Sequence, residues 1–225
     1  MAKSAPPRPA PRLYLATPVL DDPAPLLAVL PRLLEAADVA AVLLRLAPSD
    51  PRTLIGRIKA AAGVVQAAGA ALLLDGHADL VARGGADGAH LGGIAEMQEW
   101  LPQLQPSRIA GVGRLETRHD SMTAGEAGAD YVLFGEPADD GTRPSTEAIA
   151  ERLNWWAELF EPPCVGYATS LDEVEVFAAA GADFVLVGEF VWAAAGEETT
   201  ALTEAEAALK RGFTTAGAAP TTAQG

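Results

Sequence analysis

One cysteine, Cys164, stands in 225 residues. That excludes an internal disulfide and fits a reducing compartment. Cys164 opens the apolar run Cys164-Val165-Gly166 and reads as a small core residue. No apolar stretch approaches the roughly 20 residues needed to cross a bilayer. Basic residues are also scarce, 16 against 30 acidic ones, for a formal net charge of −14. No run of Lys or Arg breaks that field. Such a chain repels nucleic acid and anionic lipid, so neither is an expected partner, and it is a poor collector of polyanions. Residues 1–12 are rich in Pro and Ala without an apolar signal core and read as a flexible leader. The Ala/Thr/Gly segment 213–225 reads as a disordered tail. A cytoplasmic protein is the expectation, with one folded domain over 13–212.

What the chain does contain is an internal echo. Ala37-Asp38-Val39-Ala40-Ala41-Val42-Leu43-Leu44 returns as Gly85-Ala86-Asp87-Gly88-Ala89-His90-Leu91-Gly92. It returns again as Gly128-Ala129-Asp130-Tyr131-Val132-Leu133-Phe134-Gly135 and as Gly181-Ala182-Asp183-Phe184-Val185-Leu186-Val187-Gly188. The spacing is about twice one βα unit, so the echo marks every second strand. In the last three copies a Gly closes the preceding helix in a left-handed cap, Ala-Asp makes the turn, and an apolar run enters a strand buried on both faces. Further strands are predicted at Leu13–Ala16, Ala70–Leu74, Arg108–Val112 and Pro163–Tyr167. Helical periodicity fills Leu26–Ala37, Arg52–Ala68, His77–Arg83, Ile94–Gln103, Glu116–Ala127, Ser145–Phe160, Leu171–Ala180 and Glu197–Lys210. Eight strands alternating with eight helices predict a single-domain (β/α)8 TIM barrel, with an open doubly wound sheet as the alternative.

In such a barrel the chemistry sits at the C-terminal ends of the strands. The candidates there are Arg45, Asp75, His77, His90, Arg114, Glu136, Asp139, Asp140, Thr142, Arg143, Tyr167, Thr169, Ser170 and Glu189. Arg45 interrupts the apolar run Val42-Leu43-Leu44-Arg45-Leu46, and a cation inside a strand needs an anionic partner, either a ligand or a carboxylate of the protein. Ser170 heads Ser170-Leu171-Asp172-Glu173, a capping box whose exposed N–H groups could also hold an anion. Asp75, His90, Glu136 and Glu189 could form an oxygen-rich metal site, or be solvated strand-end charges. Trp155 and Trp156 share a helix, one expected to pack on the barrel and the other at an interface.

These segments resemble thiamine phosphate synthase and its relative thiazole tautomerase, from about Leu13 to Trp192. The carriers are Arg12-Leu13-Tyr14-Leu15-Ala16-Thr17, the His90 copy of the echo and the Tyr131 copy. The His90 copy is close to the family's Gly-Ala-Asp-Gly-Val-His-Leu-Gly. The resemblance implies a transferase of thiamine biosynthesis that joins an aminopyrimidine diphosphate to a thiazole phosphate. Mg²⁺ draws off diphosphate, and the thiazole nitrogen captures the pyrimidine methylene cation. It also implies a homodimer. Arg45 matches the arginine of the family's Gln-x-Arg-x-Lys, and Thr142 and Arg143 its diphosphate-binding Thr-Lys pair.

The departures are equally specific. Leu43 and Ala47 replace the Gln and Lys around Arg45. Asp75-Gly76-His77 stands where the family has Asn-Asp-Arg, so the magnesium aspartate becomes Gly76, and the second falls at about Ala95. Gly113-Arg114-Leu115-Glu116 replaces a Ser/Thr-His segment, Tyr167-Ala168-Thr169 a Gly-Gly phosphate loop, and Gly188-Glu189 a small polar turn. The expectation is therefore a diverged family member that binds a heterocycle or phosphate ester, with weak or altered synthase activity and no assured metal. A silent paralogue that binds a heterocycle or a protein, and a different enzyme using Arg45, Asp75 and His90 as acid–base groups, are the competing readings.

Overall fold

The computed structural model describes residues 8–138 and 140–218. Eight parallel strands close into one barrel in chain order: β1 Arg12–Leu20, β2 Val39–Leu46, β3 Ala71–Asp75, β4 Gly88–Leu91, β5 Ile109–Val112, β6 Tyr131–Phe134, β7 Cys164–Tyr167 and β8 Phe184–Val187. The closed barrel, not the open sheet, is the architecture. β1 meets β8 over Arg12–Leu15 against Phe184–Val187, which shuts the ring.

Around it run α1 Ala24–Ala36, α2 Pro51–Ala67, α3 Val81–Gly84, α4 Ile94–Leu104, α5 Arg118–Ala127, α6 Thr146–Leu159, α7 Leu171–Ala179, α8 Glu189–Ala193 and α9 Glu198–Ala218. Side chains cap several of these helices. Asp50 accepts from the Thr53 N–H, Thr117 and Asp120 form a reciprocal capping box, and Ser145 and Ser170 cap α6 and α7.

Alternation along each strand sorts the core into two layers. Tyr14, Ala16, Leu43, Leu73, Tyr131, Leu133, Val165, Tyr167 and Leu186 fill the barrel interior. Their neighbours, such as Leu13, Leu15, Leu44 and Leu74, face the helices in the larger outer layer. Trp156 is fully buried there, with its indole N–H on the Pro162 carbonyl at 2.7 Å. Trp155 is half-buried beside it, under the Arg118 guanidinium.

The aspartates of the echo have a shared task at the barrel's N-terminal end. Asp87 Oδ2 accepts from Leu72 N at 2.7 Å, Asp130 Oδ2 from Ala110 N at 2.8 Å, and Asp183 Oδ2 from Cys164 N at 2.8 Å. Each ties the base of an even-numbered strand to the odd-numbered strand before it. Asp38 differs: it takes the Arg12 guanidinium on both carboxylate oxygens.

Four expectations change. The predicted helix at His77–Arg83 is a 3-10 turn, Ala78–Leu80, followed by the short α3. The last helix continues to Ala218, into the segment read as a disordered tail. The described part of the leader is attached: Arg8 pairs with Asp183 at 2.9 Å and Arg12 opens β1. The short α8 was not expected, because five residues are too few to show a period. The remaining leader and tail positions lie outside the described residues. Among the described residues, no helix is long and apolar enough to cross a membrane.

Candidate active site

The C-terminal ends of the strands bring four of the candidate residues into two ion pairs. Arg45 Nε lies 2.9 Å from Asp75 Oδ2, with the guanidinium 5.9 Å from the Tyr167 ring centroid. The cation inside β2 thus finds its anion on β3. Burial opposes the Arg45 charge, but Tyr167 and Asp75 outweigh it, and the guanidinium is held above its ordinary value.

The second pair lies deeper. His90 Nε2 is 3.0 Å from Glu136 Oε1, and His90 is 2% exposed. Burial disfavours the imidazolium, yet the Glu136 charge and hydrogen bond prevail and raise His90 above its ordinary value. For Glu136 burial again opposes ionisation, and His90 together with the Arg114 N–H overrides it, so the carboxyl is lowered. That backbone bond, Arg114 N to Glu136 Oε2, is 2.8 Å. Both shifts favour the charged pair.

The pair continues inward. His90 Nδ1 is 3.0 Å from the Tyr131 hydroxyl, which is 3.1 Å from the Tyr14 hydroxyl. With His90 doubly protonated, Nδ1–H donates to Tyr131, which donates to Tyr14. Burial raises both phenols far out of the physiological range. Two glycines make the room. A Cβ on Gly111 would fall 1.8 Å from the Tyr131 ring, and one on Gly113 would fall 1.9 Å from Glu136 Oε2 and 2.5 Å from His90 Nε2.

A third cation, Arg143, is locked into the rim. Its Nε donates to the Gly135 carbonyl, Nη1 to Thr169 Oγ1 and both Glu173 oxygens, and Nη2 to the Tyr167 carbonyl, all at 2.8–3.0 Å. Glu173 also accepts from the Thr169 N–H at 2.7 Å and from Thr146 Oγ1 at 2.8 Å. Burial would raise its carboxyl, but Arg143 and the Thr169 N–H bring it below its ordinary value. A carboxylate of the protein therefore fills the cradle between the β6 and β7 loops.

The other candidates are dispersed. Thr142 turns back on Asp140 through its N–H at 2.9 Å and its hydroxyl at 2.6 Å. Ser170 caps α7. His77, with φ of 51°, is the left-handed entry to the 3-10 turn. Arg114 is exposed at φ of 49°, and Glu189 is exposed at the start of α8. Asp139 lies outside the described residues. The sequence reasoning missed Tyr14, Tyr131 and Glu173. A tyrosine in a buried strand needs a hydroxyl partner, and that was the available signal for the first two.

The donor set does not fit a magnesium ion. Gly76 and Ala95 offer no carboxylate, Asp75 is engaged by Arg45, and Glu136 by His90 and a backbone N–H. Among the described residues no three His, Cys, Asp or Glu side chains converge in a way that could hold a metal. The grouping of Asp75, His90, Glu136 and Glu189 as one metal site gives way to two ion pairs and an exposed carboxylate.

Fold and site together define a (β/α)8 barrel with its polar groups gathered at the strand ends, the arrangement of barrel enzymes. The family model described as thiamine monophosphate synthase matches residues 13–191. Among curated relatives, the thiamine-phosphate synthase of Rhodospirillum centenum is 38% identical over 189 residues, covering 80% of this chain and 89% of the relative. That of Hyphomonas neptunium is 35% identical over 200 residues, covering 85% and 90%. A thiamine phosphate pyrophosphorylase from Pyrococcus furiosus superposes with a TM-score of 0.75 at 21% identity, covering 90% of this chain and 96% of that one, and supports the fold. This chain belongs to the thiamine monophosphate synthase family, and it is a thiamine phosphate synthase-like barrel.

Proposed function

We propose that the protein acts in thiamine biosynthesis on the family's small heterocyclic substrates, with release of diphosphate slower than in its relatives. One observation carries the second half of that reading. Each of three cationic groups that could meet a phosphate at the barrel mouth already holds a carboxylate of the protein: Arg45 with Asp75, His90 with Glu136 and Arg143 with Glu173. A leaving diphosphate must either break these pairs or leave without their help. Losing one preorganised donor at a developing anion costs about 10²–10³ in rate. The overall field of a −14 chain adds repulsion. The bond between the pyrimidine methylene and the diphosphate oxygen still breaks, and the thiazole nitrogen still takes the carbon. What this site supplies poorly is neutralisation of the departing group. The reading includes a cytoplasmic protein and allows a homodimer.

Phosphorus NMR tests it directly. The protein is mixed with the aminopyrimidine diphosphate, the thiazole phosphate and Mg²⁺, beside a synthase that keeps both magnesium aspartates. Diphosphate should appear at least about 10²-fold more slowly here. Release at the comparison enzyme's rate would overturn the reading. Heterocycle binding without any turnover would favour the silent paralogue.

A further inference from the structure

Between the β5–α5 loop and the β6–α6 loop, bordered on one side by Glu136, Thr142 and Arg143, lies a cavity of about 450 Å³. This is within the range of small-molecule sites, roughly 300–1,000 Å³. Its apolar wall is Leu115, Phe134 and Ile149, residues of the outer core layer. Arg152 projects from α6 across it, half-buried, with its guanidinium carbon 5.8 Å from the Phe134 ring centroid. The hydrogen bonds of Arg152 run to backbone: Nη1 to the Leu115 carbonyl at 2.7 Å and Nη2 to the Glu116 carbonyl at 3.0 Å. Among the described residues no carboxylate is bonded to it. Burial and repulsion from Arg118 lower this guanidinium below its ordinary value, and Asp120 only partly offsets them.

The arrangement is costly as it stands. A half-buried cation over an apolar wall, with part of its donor fork unused, is stabilised by an anion. Arg114 lines the same crevice, on a loop whose backbone is bent into the left-handed region at φ of 49°. Strain of this kind gathers at ligand sites. Arg114 and Arg152 both line the crevice, and Arg118 lies close enough to act on the Arg152 charge. Glu116 and Glu136 also border the cavity, and they disfavour a dianion more than a monoanion. A planar monoanion suits the fork of an arginine.

We propose that this crevice, which touches the barrel mouth at Glu136, is a binding site for a small aromatic carboxylate, with the carboxylate on Arg152 and the ring against Phe134. The probe is benzoate, with benzylamine as the same ring carrying the opposite charge. Calorimetric titration of the full chain should give saturable benzoate binding at about 1 mM or tighter. Arg152→Gln should weaken it at least tenfold, and Arg45→Gln should leave it unchanged. Ala148→Trp, at an exposed position lining the cavity, should block it by filling the space, and it decides the matter if Arg152→Gln does not fold. Equal binding of benzylamine, benzoate binding that survives both Arg152→Gln and Ala148→Trp, loss on Arg45→Gln, or no saturation would overturn the proposal. None of these outcomes bears on the rate of diphosphate release.

Discussion

His90 and Glu136 show how two side chains set each other's charge. The raised His90 stabilises the fold fully below its ordinary 6.5, and that contribution is lost as pH rises through the higher folded value. The lowered Glu136 contributes fully above its ordinary 4.5, and this is lost as pH falls through the lower folded value. The pair is therefore worth most between those two ordinary values and erodes on both sides. Glu136→Gln, which leaves the imidazolium without its anion, should cost about 3–5 kcal/mol in that window. Urea midpoints measured at several pH values should show the gap to the native chain widest there. A gap independent of pH would refute the ion pair. Tyr131→Phe asks a narrower question, since it removes the hydroxyl bonded to both His90 Nδ1 and Tyr14. A loss of about 1–3 kcal/mol is expected, and it should fall sharply in a Tyr14→Phe background if the hydroxyls act as one chain.

At the scale of strands and helices, the echo was readable because each copy repeats a local chemical solution. Gly85, Gly128 and Gly181 all have left-handed φ at the ends of helices, and the apolar runs that follow are the buried strands. What the sequence hid was the reason for the aspartate, whose partner is an N–H on the neighbouring strand, some 15–20 residues earlier in the chain. The same blindness covers the site. Arg45, Asp75, His90 and Glu136 were legible as polar residues where apolar strands end. Their pairing was not, because it depends on which strands lie side by side, and Glu173 was hidden behind its place in a helix. The clamps give a test. Asp130→Ala removes the acceptor for Ala110 N at the base of the barrel, far from the mouth. Stability should fall by about 1–3 kcal/mol, with benzoate affinity unaltered. A variant as stable as the native chain would show that water replaces the carboxylate.

Taken whole, the molecule holds its 14 excess negative charges closer together than its unfolded chain does. Compaction therefore carries a repulsive energy that short ion pairs relieve only locally. Several of those pairs, such as Arg12 with Asp38 and Arg211 with Glu175, are at the surface and are worth about 0–1 kcal/mol each. Salt acts on both terms. It weakens the exposed pairs slightly, and it shortens the range of repulsion from about 30 Å at 0.01 M to about 8 Å at 0.15 M. The repulsion extends over the whole surface, so its loss should dominate. Sodium chloride raised across that interval should increase the melting temperature by several degrees, since 1 kcal/mol corresponds to about 2–4 °C for a domain of this size. The gain should level off once the screening length is shorter than the spacing of surface charges. A melting temperature that falls with salt would mean that surface ion pairs, not net repulsion, govern this barrel's electrostatics.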